Sequence, residues 1–263
     1  MTSVHDFGRF KAERRRISMV AAYEAWSAAV IARSQVDAIL VGDSAAMVLH
    51  GYPTTLAATV SMMASHTAAV ARAAGDKLVI ADLPFLSYRK GLVPAMNAVG
   101  ALMRSGAQAV KLEGVGGNED IIRHVIDSGV PVMGHIGLTP QSVHQLGGFR
   151  VQGKTPAAAD ALRRQAHTLE DLGCFAIVLE CVPAAVACTI TSQLRIPTIG
   201  IGAGAGTDGQ VLVLHDLLGI DNGHTPRFVR RYLEGERLVA EALDHYDRDV
   251  KEGRFPAAEE SYS

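Results

Sequence analysis

Short apolar runs alternate with longer amphipathic stretches along almost the whole chain. The runs cover residues 17–23, 38–43, 78–83, 109–114, 130–137, 176–181 and 197–203, with a weaker eighth at 210–215. Each is rich in Val, Ile and Leu without strict polar alternation, as in parallel strands buried on both faces. The stretches between them, 24–34, 59–73, 93–105, 119–128, 157–172 and 184–194, carry helical spacing, and 228–246 follows the eighth run. Four close at a glycine, Gly75, Gly106, Gly129 or Gly173, which suits the left-handed backbone past a helix C-terminus. Eight strand–helix units in 263 residues predict an α/β fold, a (β/α)8 TIM barrel forming a single domain, with an open doubly wound sheet as the alternative. No linker or composition shift marks a second domain. We expect an N-terminal arm over 1–16, the barrel over 17–249 and a C-terminal tail over 250–263.

Composition removes several function classes. Hydrophobic residues make up 48% and charged residues 20%, which excludes a disordered or collagen-like chain. A formal net charge of -2 gives no reason to expect nucleic acid as a partner. No apolar run approaches the roughly 18–20 residues of a membrane span, and the polar first residues do not read as a secretory leader. Cys174, Cys181 and Cys188 are odd in number and match no zinc spacing. They are expected to be buried free thiols in a reducing cytosol.

The candidate chemistry lies at the C-terminal ends of the predicted strands: Asp43, Asp82, Lys111 with Glu113, His135 and Glu180. In a barrel these ends converge on the face that carries active sites. A single strand-end Asp often caps a turn, and a lone His in an apolar strand is usually a hydrogen-bonded core residue. Buried acids and lysines are rare unless paired, so six of them at successive strand ends point to a site. Asp43, Asp82 and Glu113, without Cys or clustered His, make a hard-oxygen set suited to Mg²⁺. A 2-oxo acid would chelate such an ion, lowering the cost of forming an enolate. Lys111 supplies a second positive charge, and Glu180 is available as a base.

The glycine-rich segment 200–206 has two readings, a phosphate cradle or a tight turn that lets backbones approach closely. A dinucleotide fingerprint is rejected, since no helical pattern follows. The long connection after residue 137 overlies the predicted catalytic face, where such loops are usually functional.

Several segments are long enough to be compared with known families: 41–44 (VGDS), 81–85 (ADLPF), 110–114 (VKLEG), 134–143 (GHIGLTPQSV), 178–183 (VLECVP) and 199–204 (IGIGAG) with Asp208-Gly209-Gln210. In order and spacing the chain resembles the ketopantoate hydroxymethyltransferase family from about residue 17 to 232. The resemblance implies a Mg²⁺-dependent barrel enzyme that moves a hydroxymethyl group from 5,10-methylenetetrahydrofolate to 3-methyl-2-oxobutanoate, giving 2-dehydropantoate in pantothenate biosynthesis. By matching motif it implies Asp43 and Asp82 as metal ligands, with Glu113 ligating directly or through water. Asp43, Ser44, Asp82 and Lys111 become ketoacid contacts, His135 a substrate-side histidine and Glu180 the general base. It further implies a cytoplasmic homo-oligomer, typically a decamer. Two places depart from the family pattern: Tyr23-Glu24 where Tyr-Asp is usual, and Gly51-Tyr52 where Gly-His is frequent.

Other classes remain in view. A metal-dependent lyase or mutase of small 2-oxo acids would use the same carboxylates. A Schiff-base aldolase would use Lys111 as its nucleophile. A non-catalytic binding protein on this scaffold should lack at least one of Asp43, Asp82, Glu113 or Glu180, and all four are present.

Overall fold

The structure is a computed structural model that describes residues 2–220 and 225–262. It divides into two compact units, Met1–Val213 and Leu214–Ser263.

The first unit is the barrel. Helix α1 (Val4–Ala12) leads into β1 (Ile17–Ala21), followed by α2 (Ala25–Ala32), β2 (Ala38–Val41), the single turn α3 (Ala45–Val48) and α4 (Val60–Ala71). Then come β3 (Leu78–Asp82), α5 (Leu92–Arg104), β4 (Ala109–Glu113), α6 (Glu119–Asp127), β5 (Val132–Gly137), α7 (Pro156–Leu172), β6 (Ala176–Glu180) and α8 (Ala184–Gln193). β7 (Thr198–Ile201) and β8 (Gly209–Val213) complete it. The strands pair in sequence order, all parallel, and β8 returns to β1, with Ile17 opposite Gly209. The predicted barrel is therefore observed, and the open sheet is not.

Inside the barrel the side chains follow the strand period of two. Leu78 and Ile80 on β3, Ala109 on β4, Met133 on β5, and Ala176 with Val178 on β6 belong to one core cluster. Two residues further along each strand stands a polar group: Asp82, Lys111, His135 or Glu180. Lys111 and Glu113 share a face of β4 for the same reason. The apolar layers thus fill the barrel, and the last inward layer carries charge.

Two expectations need revision. The stretch expected as an N-terminal arm contains helix α1, which packs into the core. Phe7 and Phe10 of α1 are buried in the core cluster, and Phe7 meets Phe175 edge-on at 5.7 Å between centroids. Lys11 Nζ donates to the carbonyls of Thr191 (2.9 Å) and Ile196 (3.0 Å) and to Asp208 Oδ2 (2.9 Å). The cysteines also differ among themselves: Cys174 is buried, Cys181 half-buried and Cys188 exposed. Burial pushes the Cys174 thiol up to about 12, leaving it inert as a nucleophile.

The glycine-rich segment follows the close-packing reading. Residues 202–208 contain no helix, so β7 passes directly to β8. A Cβ on Gly204 would stand 2.5 Å from the Ala184 Cβ, and one on Gly206 would stand 2.9 Å from the Cys188 Cβ. These glycines let the connection lie against α8.

The second unit contains α9 (Leu214–Leu218) and α10 (Gly235–Lys251). The last helix was expected over 228–246 and starts later. Its apolar face is set by Val239, Leu243, Tyr246 and Val250, spaced as one helical stripe and all exposed. Its outer face carries i,i+4 pairs, Arg237 with Glu241 and Lys251 with Asp247. Among the described residues no helix is long and apolar enough to cross a membrane.

Candidate active site

Register brings the polar strand ends together. Asp82 stands opposite Lys111, Glu113 opposite His135, and Gly137 opposite Glu180. Asp43 follows β2, and its backbone N–H donates to Asp82 Oδ2 at 3.1 Å. Asp43, Asp82, Lys111, Glu113 and His135 are all buried. Glu180 is the most accessible of the predicted set, with 16% of its side chain exposed.

The charges form a chain. Lys111 Nζ lies 3.1 Å from Asp82 Oδ1, 3.2 Å from His135 Nδ1 and 4.0 Å from Glu113 Oε1. His135 Nδ1 is also 3.4 Å from Glu113 Oε1, and its Nε2 is 3.2 Å from Glu180 Oε2. Burial works against the Lys111 charge, but Asp82, Glu113 and Asp43 outweigh it and raise its pKa. Lys111 is held as an ammonium, which is no nucleophile, and this disfavours the imine route. Burial and Lys111 also push the imidazole of His135 toward neutrality. Glu113 and Glu180 overcome them and raise it to about 9. Glu113, although buried, is held below the usual carboxylate range by His135 first and then by Lys111 and the Gln141 N–H.

Asp43 behaves differently. Burial raises its pKa well above the ordinary value, and the neighbouring charges of Asp82 and Glu113 add to the effect. Burial likewise raises Asp82, with Lys111 opposing. Four carboxylates face two cationic side chains here, and all but Glu180 are buried, so keeping every carboxylate ionised without a further cation would be costly. Asp82 Oδ1 has no aligned hydrogen bond despite its contact with Lys111. Buried carboxylates that outnumber their cationic neighbours, with no Cys or second His beside them, fit a divalent cation held by Asp43 and Asp82.

Glu113 is held by other partners in this structure. Its Oε2 accepts from the Gln141 N–H at 2.9 Å, while Oε1 faces Lys111 and His135. Among the described residues no group of three or more His, Cys, Asp or Glu is arranged to hold an ion.

Ser44 lies at the edge of this cluster. Its hydroxyl shares a 2.8 Å hydrogen bond with Tyr23, whose ring is fully buried. Of the two departures from the family pattern, Glu24 stands at the N-cap of α2 without a side-chain cap, and Tyr52 is exposed. Neither touches the charge chain among the contacts described.

Two residues of this site went unassigned in the sequence reading: Tyr88, after β3, and Gln141, in a 3-10 turn at Pro140–Ser142 in the long connection after β5. Gln141 Nε2 donates to Asp43 Oδ2 (2.8 Å) and to the Leu83 carbonyl (2.9 Å). Tyr88 OH lies 3.0 Å from both Gln141 Oε1 and the Glu113 carbonyl, and it accepts from the Glu113 N–H at 3.1 Å. Both are uncharged and off the strands, so strand-end spacing could not find them. For Gln141 the signal was its place in the long connection over the catalytic face and in the 134–143 motif; Tyr88, in the separate loop after β3, had none.

Comparison with known proteins agrees with this geometry. The sequence profile of a family described as ketopantoate hydroxymethyltransferase matches residues 1–258. A 3-methyl-2-oxobutanoate hydroxymethyltransferase from Bdellovibrio bacteriovorus is 54% identical over 263 residues, covering 100% of both chains. Among solved structures, a phosphonopyruvate hydrolase in complex with oxalate and Mg++ is similar with a TM-score of 0.64 at 12% identity, covering 99% of this chain and 93% of that one. A 2,3-dimethylmalate lyase of the PEP mutase/isocitrate lyase superfamily gives a TM-score of 0.63 at 16% identity, covering 95% and 89%. These two likenesses are of fold.

Proposed function

The chain belongs to the ketopantoate hydroxymethyltransferase family, and from that premise we propose that it transfers a hydroxymethyl group from 5,10-methylenetetrahydrofolate to 3-methyl-2-oxobutanoate, giving 2-dehydropantoate. The observation that carries the reading is the chain of buried charges from Asp43 to Glu180 at the strand ends.

Asp43 and Asp82 would hold Mg²⁺, with Glu113 reaching it through water. Such an ion would supply Lewis-acid polarisation of the 2-oxo acid's carbonyl and so acidify its C3 proton. Lys111 places a fixed ammonium beside that end of the site for the substrate carboxylate. Ser44, oriented by Tyr23, offers a hydroxyl to the ketoacid. Glu180 takes the C3 proton, and His135 orients it from 3.2 Å. Carbon C3 then bonds to the one-carbon unit while both bonds from that carbon to the folate nitrogens break; water supplies the hydroxyl, and the C3 proton and the remaining water proton pass to those nitrogens as tetrahydrofolate leaves.

The oligomer belongs to the same proposal. Family resemblance gives a homo-oligomer, most often a decamer, in the cytoplasm. The exposed stripe on α10, and Trp26 with Val30 one turn apart on α2, are apolar surfaces that further copies would cover.

The test is incubation with Mg²⁺, 3-methyl-2-oxobutanoate and the folate donor, with detection of 2-dehydropantoate. Full activity after exhaustive chelation would overturn the metal reading. Turnover of a 2-oxo acid with no folate donor would instead favour a lyase or mutase.

A further inference from the structure

We propose that Gln141 is a positioning residue that clamps the Asp43 carboxylate in its ion-holding orientation, with Tyr88 setting which end of the amide faces it. This rests on the metal reading given above and adds a part to it.

Asp43 needs to be held without being neutralised. A lysine or arginine against it would cancel the charge that a cation requires. An amide N–H donates a hydrogen bond and contributes no net charge. Gln141 supplies that bond at 2.8 Å to Oδ2 of Asp43, from a side chain that is itself buried. Its second N–H is taken by the Leu83 carbonyl. Both Nε2 hydrogens thus meet acceptors, and the Tyr88 hydroxyl stands at Oε1. The reversed amide would set its oxygen against a carboxylate and a carbonyl, so the hydrogen-bond network fixes one orientation.

The same residue also reaches Glu113 through its backbone N–H. Gln141 therefore links residues from the ends of β2, β3 and β4. Groups that orient metal ligands in this way typically account for 10–100-fold in metal affinity.

The experiment uses Mn²⁺ as the probe, with free ion measured by electron paramagnetic resonance, on wild type, Gln141→Met and Tyr88→Phe. Circular dichroism and thermal unfolding of the metal-free proteins show whether each is folded. The expected result is Mn²⁺ binding weakened about 10–100-fold in Gln141→Met. Tyr88→Phe, which removes one hydroxyl, should weaken it less and in the same direction. If Gln141→Met does not fold, Tyr88→Phe decides alone. Unchanged Mn²⁺ affinity in a folded Gln141→Met, or in Tyr88→Phe when it decides alone, overturns the clamp and leaves the metal reading standing. Failure of the wild type to bind Mn²⁺ overturns the metal reading, and the clamp with it.

Discussion

At Glu180 the site offers a carboxylate free of the ion-holding pair and partly open to solvent. On the proposed reading Asp43 and Asp82 would hold the cation, while Glu113 is enclosed by Lys111, His135 and Gln141. A carboxylate bound to Mg²⁺ would be a poor base, so the proposed reading gives the proton to Glu180. Glu180→Gln should leave ketoacid and Mg²⁺ binding largely intact and slow turnover by roughly 10²–10⁴-fold. Proton exchange at C3 of the ketoacid in D₂O, without folate, reads this step directly. Exchange as fast as in wild type would exclude Glu180 as the base.

The elements that carry these residues depend on close backbone contacts. Gly137 ends β5 with φ +96, and a Cβ there would lie 2.3 Å from the Glu180 carbonyl oxygen. That carbonyl already accepts from the Leu138 N–H at 2.8 Å. Gly137→Ala should therefore cost about 1–3 kcal/mol and reduce activity as well, because relief requires moving the strand end that bears Glu180. A urea titration compared with kcat separates the two effects. The strands were legible in sequence because each is a short β-branched and aliphatic run between glycines. Their polar last residues were legible for the same reason, since Asp82, Lys111, His135 and Glu180 interrupt apolar runs. Inward and outward faces were not, because both are buried and the period of two is masked. Helix α1 was also hidden: its charged face reads as a solvated arm, and only the fold shows that Phe7 and Phe10 have a core to enter. The single-turn α3 and the 3-10 turn bearing Gln141 are too short for periodicity to register.

On the scale of the whole molecule, α1 should behave as part of the core. Phe7→Ala should lower stability by about 3–5 kcal/mol, the cost of emptying a buried aromatic site, as read from the denaturation midpoint. A cost near zero would restore the loose arm. The protein should sediment as a large homo-oligomer, and a clean monomer at micromolar concentration would contradict that. Lys11 has a consequence in time. Its carbonyl partner on Thr191 lies 180 residues further along the chain, and β1 pairs with β8, the last strand made. At ribosomal speeds of about 5–20 residues per second, the first helix waits roughly 9–36 s for that partner to be made. Until β8 arrives, the growing chain is an open sheet with two unpaired edges and two phenylalanines still without their full seat. The interval during which those edges stand open is therefore set by the time taken to reach β8, and it lengthens as elongation slows.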